Sequence, residues 1–397
     1  MASTGPERRL EVLVLNPIAP RGLEQLPPER YAVVKQSPAP DVILVRSREL
    51  HGYDFGARIK AVGRAGAGVN NIPVAQLSAR GVPVFNAPGA NANAVKELVL
   101  AGMLIAARNL APALGFVRGL DPAARDLARV VEDGKKQFAG IELPGHTLGV
   151  VGLGKIGSLV ADAAIRLGMN VLGYDPEITV DAAWSLPSQV RRAASIDEVL
   201  KTSHFVTLHV PLGERTRHLV GSANIGQLRR GAILLNFSRE GVVEDEAALA
   251  ALRSGTLGYY VTDFPSTQLA GQRGVIALPH LGASTGEAEE NSAVMVVAQL
   301  RDYLENGNLR NAVNFPDVAM DRESPFRLAI ANANVPEMLA RISHVLGSRK
   351  LNIHNMLNKS KANMAYTLVD VDSPVLQDTL DELGRIDGVL GVRYLPL

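Results

Sequence analysis

The run Gly152-Leu153-Gly154-Lys155-Ile156-Gly157 follows the apolar stretch TLGVV and opens the helix-like stretch SLVADAAIRLG. Glycines at this spacing between a strand and a helix suit a diphosphate. Gly152 permits a tight turn, Gly154 lets phosphate oxygens approach the backbone, and Gly157 lets helix and strand pack closely. The diphosphate would lie at the helix N-terminus, where backbone N–H groups have no intrahelical partners. Lys155 and Ile156 complete the loop, Lys155 as a solvated side chain. The next apolar run, NVLGYD, ends in Asp175, 18 residues past Gly157, where a carboxylate can accept hydrogen bonds from ribose hydroxyls. An acid at this place repels a ribose phosphate, so the pattern predicts NAD rather than NADP. The competing role for Asp175 is a cap before Pro176.

Elements that could position such a loop alternate along the chain. EVLVLNP, DVILVRS, IKAVGRAG and GVPVFNAPG are short apolar runs closed by Gly, Pro, Asn or Ser, as in a parallel α/β sheet. From Asn91 to about Arg125 the pattern is helical. A second series, TLGVVGLG, NVLGYD, FVTLHVPL, AILLNFS, YYVTDF and GVIALPH, predicts six strands of a doubly wound sheet. A helix over 284–306 carries Val294, Val297 and Leu300 on one face, and the Gly-, Asn- and Pro-punctuated stretch after it reads as a linker. Residues 326–397 read strand, helix, strand, strand, helix, strand, the ferredoxin-like order.

Composition narrows the function classes. The 397 residues allow two or three domains. Lys plus Arg number 41 and Asp plus Glu 40, so there is no basic excess for nucleic acid. Cysteine is absent, which removes disulfides, thiolate metal sites and cysteine nucleophiles. None of the histidines shows metal-ligand spacing. The charged N-terminus does not read as a leader, and the longest weakly charged run, LVLAGMLIAA, is too short to span a bilayer. The expectation is a cytoplasmic protein acting on a small molecule, with no metal, nucleic acid or membrane partner.

GHTLGVVGLGKIG, LHVPL, NFSREGVVEDEAAL and PHLGAST, with AVGRAGAGVNNI and VFNAPGANANAVKELV before them, resemble the D-isomer-specific 2-hydroxyacid dehydrogenases over 41–314. The C-terminal unit resembles an ACT domain. The resemblance implies two Rossmann-like doubly wound lobes plus a ferredoxin-like module. Residues 1–92 and 284–315 would form a discontinuous substrate domain, 93–283 the NAD domain, and 322–397 a regulatory or dimerisation domain. The active site would lie in the cleft between the first two, in a homodimer or homotetramer. The implied reaction is NAD-dependent oxidation of a D-2-hydroxy acid at C2, with D-3-phosphoglycerate of serine biosynthesis as first candidate and 3-phosphohydroxypyruvate as product.

Carried over by position, Arg239 takes the place of the arginine that pairs with the substrate carboxylate and polarises the C2 oxygen, chemistry a guanidinium fork suits. His280 matches the group that takes the hydroxyl proton, as a neutral imidazole can. Asp263 matches the aspartate that holds the nicotinamide carboxamide, and the segments around His209, Pro211, Phe237 and Ser238 would line the ring. For the substrate, Gly66 and Gly68 match a carboxylate-holding turn and Asn91 a contacting asparagine. Arg46, Ser47 and Arg48, with Lys136, match or could form a phosphate-binding cluster. In the C-terminal unit Asn332, Asn334 and Asn352 correspond to positions that bind serine as effector.

Two departures stand out. The family places a glutamate beside the catalytic histidine, yet no carboxylate occurs between Asp263 and His280; Gln268 occupies the corresponding position by ungapped counting. Gln268 could orient the ring without supplying charge, Glu97 or Asp263 could substitute in space, or catalysis could be lost. The last option leaves a weakly catalytic NAD- or amino-acid-sensing protein as alternative, beside a dehydrogenase for another D-2-hydroxy acid. Lys96 stands where relatives carry a small residue, and Glu337 where the ACT fold has a glycine, so the C-terminal unit could serve dimerisation alone.

Overall fold

The computed structural model describes residues 8–122 and 125–397; residues 1–7, part of the stretch read for a leader, lie outside it. The chain divides into two compact units, Met1–Asn91 with Gly286–Leu397, and Ala92–Thr285.

The first unit holds a parallel sheet of β1 (Leu10–Val14), β2 (Tyr31–Val34), β3 (Val42–Val45), β4 (Ala61–Arg64) and β5 (Val84–Phe85), ordered β2-β1-β3-β4-β5. That is the flavodoxin-like form of a doubly wound sheet. The sequence pattern missed β2, an edge strand whose YAVV run is only partly buried. The long helix Gly286–Asn306 returns to this sheet and buries Ala293, Val296, Val297, Leu300, Tyr303 and Leu304, a stripe at helical spacing. Val294, expected on that face, sits at its margin.

The stretch after the helix is not a free linker. Leu309, Ala312, Phe315 and Val318 are buried in the same core, and Leu309 bridges to Val318. Its glycines and prolines turn the chain, but every few residues an apolar side chain anchors it.

The C-terminal segment forms an antiparallel sheet of β13 (Phe326–Ala333), β14 (Ile353–Lys361), β15 (Met364–Val371) and β16 (Val389–Pro396), ordered β14-β15-β13-β16, with helices Met338–Ser348 and Gln377–Gly384. This is the expected βαββαβ unit. One sheet face adds Ala329, Ala331, Tyr366, Leu368 and Leu395 to the core of the first unit. Arg327 is fully buried there. Its guanidinium donates to both oxygens of Asp370 at 2.6 and 2.8 Å and to the carbonyls of Asn306, Met320 and Asp321 at 2.8–3.1 Å.

The second unit is built on seven parallel strands: β6 (Thr147–Val151), β7 (Asn170–Tyr174), β8 (Val190–Arg192), β9 (Phe205–Leu208), β10 (Ala232–Asn236), β11 (Leu257–Thr262) and β12 (Val275–Ala277). The order β12-β11-β10-β9-β6-β7-β8 is the Rossmann arrangement with one added strand. The strand the sequence pattern missed is β8, whose VRR offers one apolar residue. The helical stretch expected from Asn91 onward breaks at Asn109, which adopts φ 50°, so helices run over Ala92–Ala107 and Leu110–Arg118. Asn109 is held by the Tyr259 hydroxyl at 2.7 Å and donates to the Ala139 carbonyl. Val95, Val99 and Met103 bury the first helix in this unit's core, and Gly102 lets it approach Phe237 and Val261. Among the described residues no single helix is long and apolar enough to cross a membrane.

Removing one partner of a buried ion pair leaves an uncompensated charge, at a cost of about 3–5 kcal/mol. Asp370→Asn should therefore lower the unfolding free energy of the first unit by that much, seen as a lower urea midpoint at unchanged m-value by circular dichroism. An unchanged midpoint would mean that the Arg327 carbonyl contacts alone hold the segment.

Candidate active site

Parallel pairing puts the last residues of six strands of the second unit into one row: Tyr174, Val151, Leu208, Asn236, Thr262 and Ala277 are successive register partners. The residue after each of the first three is Asp175, Gly152 and His209. Ser238 and Arg239 follow Asn236 by two and three positions, Asp263 follows Thr262 directly, and His280 follows Ala277 by three. The ladder thus delivers them to one edge of the sheet, where open α/β sheets bind ligands.

The glycine loop has the geometry a diphosphate needs. Gly152 has φ +88°, and a Cβ there would come within 2.4 Å of the His209 carbonyl. Around Gly154, which caps the helix Lys155–Arg166, a Cβ would meet open space. At Gly157 it would fall 1.9 Å from the Gly152 carbonyl, so helix and loop touch backbone to backbone. Lys155 is exposed and Ile156 packs partly against the unit's core. Asp175 does the capping job read for it. Its Oδ2 accepts the Leu153 N–H and its Oδ1 the Glu177 N–H, each at 2.9 Å. A carboxylate has about four acceptor positions, so ribose hydroxyls can still be received.

Asn236, almost fully buried, shapes the turn after β10. Its Oδ1 accepts the Ser238 N–H at 3.2 Å and the Ser238 hydroxyl at 2.8 Å, and its Nδ2 donates to the Arg239 carbonyl at 3.0 Å. Sequence reasoning missed Asn236 as an organising residue, although an Asn closing a strand before Ser is a turn signal. Arg239 is thereby left exposed; its guanidinium donates to the Ser238 carbonyl and pairs with no carboxylate among the described residues. Phe237 is buried against Gly102. Pro211 is exposed, and its carbonyl accepts the Thr216 hydroxyl.

His280 is exposed, its ring 4.9 Å from that of Phe264. Asp263, 1% exposed, accepts the Gly282 N–H at 3.1 Å through Oδ2, while Oδ1 is buried without a partner among the described residues. An orphaned acceptor fits a donor such as a carboxamide N–H. Burial raises the Asp263 carboxyl above its usual range; His280 and the N–H groups of Gly282 and Leu281 act in the opposite direction.

The hydrogen bond considered from Gln268 to His280 is absent among the described residues. The Ser266 hydroxyl donates to Asp245 at 2.7 Å and accepts the Leu269 N–H, which seats Leu269 in the core and turns Gln268 out to solvent. Glu97 is also turned outward, accepting from Asn93 at 2.8 Å with Lys96 at 3.9 Å. Lys96 binds Asn93 on the same helix. Of the three stand-ins for the family glutamate, Asp263 is the one that interacts with His280. His204 accepts the Thr147 N–H at 3.1 Å and its pKa is lowered, chiefly by burial. Among the described residues no group of acids and histidines could hold a metal.

The first unit builds a loop cluster of its own. Asn16 Oδ1 accepts the backbone N–H groups of Arg46, Ser47 and Arg48 at 2.9–3.1 Å, and Asn71 Nδ2 donates to the Arg48 carbonyl at 2.7 Å. Neither asparagine was singled out from sequence. Ser47 and Arg48 are exposed, whereas Arg46 reaches Glu289 at 2.7 Å. Gly66 and Gly68 follow β4, with the Gly66 carbonyl accepting the Ala87 N–H, and Asn91 ends this unit half-buried. Lys136 belongs to the second unit, where it is exposed beside Asp133 at 3.4 Å.

In the C-terminal sheet Asn332 and Asn334 line a cavity of about 240 Å³ with Glu337, Met338 and Asn358. Asn332 Oδ1 is buried without a partner among the described residues, and Glu337 adopts φ 65°, a conformation a glycine would take without strain. Asn352 is exposed and does not line that cavity. A larger cavity of about 840 Å³ in the second unit opens at the starts of β11 and β12, among Tyr259, Val275 and Arg273, and contains none of the site residues expected from sequence.

Residues 110–282 match the family description D-isomer specific 2-hydroxyacid dehydrogenase, NAD binding domain, which makes NAD the cofactor of this unit. The chain is 36% identical over 291 residues to D-3-phosphoglycerate dehydrogenase of Methanocaldococcus jannaschii, covering 71% of this chain and 53%, about half, of that one. It is 33% identical over 350 residues to D-3-phosphoglycerate dehydrogenase of Haemophilus influenzae, covering 85% and 82%. Among solved structures, a protein from Thermus thermophilus aligns with a TM-score of 0.62 at 27% identity, over 77% of this chain and all of that one.

Two outcomes test this geometry. Gly154→Ala should leave thermal stability unchanged yet weaken NADH about tenfold or more, because the methyl would enter only the ligand's space, whereas Gly157→Ala should destabilise the unit. Equal melting losses would contradict the assignment. His209 supplies the second. Burial pushes its imidazole down to about 4. Its folded value then lies below the unfolded ~6.5, so its contribution is present above pH 6.5 and lost as pH falls toward 4, by about 3 kcal/mol at most. Denaturant titrations at pH 7 and 4.5 should show a loss that His209→Gln reduces; an identical loss in the variant would assign the acid sensitivity elsewhere.

Proposed function

Because the chain belongs to the D-isomer-specific 2-hydroxyacid dehydrogenases, we propose that it oxidises a D-2-hydroxy acid at C2, and that this acid is D-3-phosphoglycerate, giving 3-phosphohydroxypyruvate for serine biosynthesis. The observation that carries the reading is the row of strand ends that gathers Arg239, Asp263 and His280 at the edge bearing the glycine loop.

Arg239 receives the substrate carboxylate and C2 oxygen; its guanidinium has no carboxylate partner among the described residues to displace. His280 accepts the C2 hydroxyl proton, and returns it in the reverse direction. Bound NAD supplies the hydride acceptor for C2. Asp263 offers its buried Oδ1, without a partner among the described residues, to a donor from the cofactor's ring amide. Arg46 and Arg48 receive the phosphate, as guanidinium groups open to water on a loop fixed by Asn16. A second reading, an unphosphorylated D-2-hydroxy acid, draws on the Arg46–Glu289 pair, which already satisfies one of those guanidinium groups. In the C-terminal unit, the Asn332–Asn334 cavity supports an ACT-like effector role with serine as first ligand to try.

His280→Ala should cut oxidation by at least about a hundredfold, the low end of a general-base contribution, while NADH binding measured by fluorescence stays within a factor of about two. Oxidation surviving at wild-type rate would remove His280 from the proton-acceptor role.

A further inference from the structure

Arg46 is committed before any substrate arrives. Its Nη2 lies 2.7 Å from Glu289 Oε1, with side-chain exposures of 35% and 44%, so water reaches both groups. Both ends of the pair are carried by fixed backbone. Three successive N–H groups, from Arg46 to Arg48, converge on Asn16 Oδ1, and Asn71 holds the far side of the loop. Glu289 rides near the start of the helix Gly286–Asn306, whose Ala293 sits so close to Gly22 that a Cβ on that glycine would fall 2.7 Å from the Ala293 Cβ. The neighbouring Glu290 takes Arg21. Arg48, two residues along, has no carboxylate among the described residues.

The geometry points to Glu289 as a specificity-determining residue: an internal carboxylate that competes with the distal anion of the substrate for Arg46. The inference rests on the proposed reading of the Arg46–Arg48 loop as the tail subsite. A half-exposed ion pair is weak, so a phosphate dianion can displace it. The displaced carboxylate is nevertheless tethered to a rigid helix and stays within reach of the incoming charge, so the dianion meets repulsion that an uncharged hydroxymethyl tail does not. Glu289 therefore narrows the preference for phosphorylated over unphosphorylated acids of the same carbon skeleton. It touches the tail subsite only and takes no part in proton transfer.

The test compares D-3-phosphoglycerate with D-glycerate, which differ only in the tail. Affinities for both are measured by calorimetry on the NADH-loaded protein, for the wild type, Glu289→Gln, Glu289→Ala, Arg46→Gln and the double variant Arg46→Gln/Glu289→Gln. The phosphoglycerate-to-glycerate affinity ratio should rise about two- to fivefold in both Glu289 single variants, the size of one screened charge contact, and the gain should shrink at high salt. On the Arg46→Gln background the same Glu289→Gln change should give a smaller gain, from the lost repulsion alone. A ratio that does not move, or an equal gain without Arg46, overturns the proposal. NADH formation from the same acids separates the two readings. A shifted ratio without NADH formation from either acid would refute the oxidation and leave the competition standing; turnover with an unshifted ratio would do the reverse.

Discussion

The register of the parallel ladder in the second unit is the constraint on which the site depends. Because Tyr174, Val151, Leu208, Asn236, Thr262 and Ala277 are lateral partners, the chain leaves the sheet at one level six times. A one-residue slip of β10 or β11 would reverse which side chains face the core and move Arg239 or Asp263 away from this edge. The apolar burial of Ile233, Leu235 and Val261 on one face and Leu234 and Tyr260 on the other opposes such a slip. Packing energy, spread over the whole sheet, is what fixes a handful of polar groups.

A second device recurs at each loop. Short polar side chains accept backbone N–H groups that would otherwise need water: Asp175 for Leu153 and Glu177, Asn236 for Ser238, Asp263 for Gly282, and Asn16 for the Arg46–Arg48 loop. Each such side chain sits at or just after the end of a strand and borrows that strand's rigidity. The cationic side chains they display, Arg239 above all, can then remain solvated without being loosely placed, since the backbone beneath them is hydrogen-bonded.

Much of this was legible because it follows local rules. The glycine spacing between strand and helix, the alternation of apolar runs and the βαββαβ order are all short-range signals, and the sheets carry them. What escaped depends on tertiary context. β2 and β8 are edge strands whose sequences look like loop, and the stretch after Asn306 looks like a linker because its buried residues, Leu309, Ala312, Phe315 and Val318, are spaced irregularly among turn residues. The helix break at Asn109 is fixed by the distant Tyr259. Gln268 illustrates the same limit: ungapped counting sets it opposite a catalytic position, but burial of Leu269 and the Ser266–Asp245 bond decide which way the turn faces. Arg46 reads as a free cation in the sequence because its partner, Glu289, lies far along the chain on the returning helix.

The most direct measurement is NADH formation by the purified protein from D-3-phosphoglycerate, D-glycerate and D-lactate over a pH series, with NADH binding measured in parallel. The account predicts NADH formation from D-3-phosphoglycerate, at a rate above that from either unphosphorylated acid. NADH binding without turnover of any of the three would contradict it, and would leave an NAD-binding unit whose chemistry is not the oxidation of these acids.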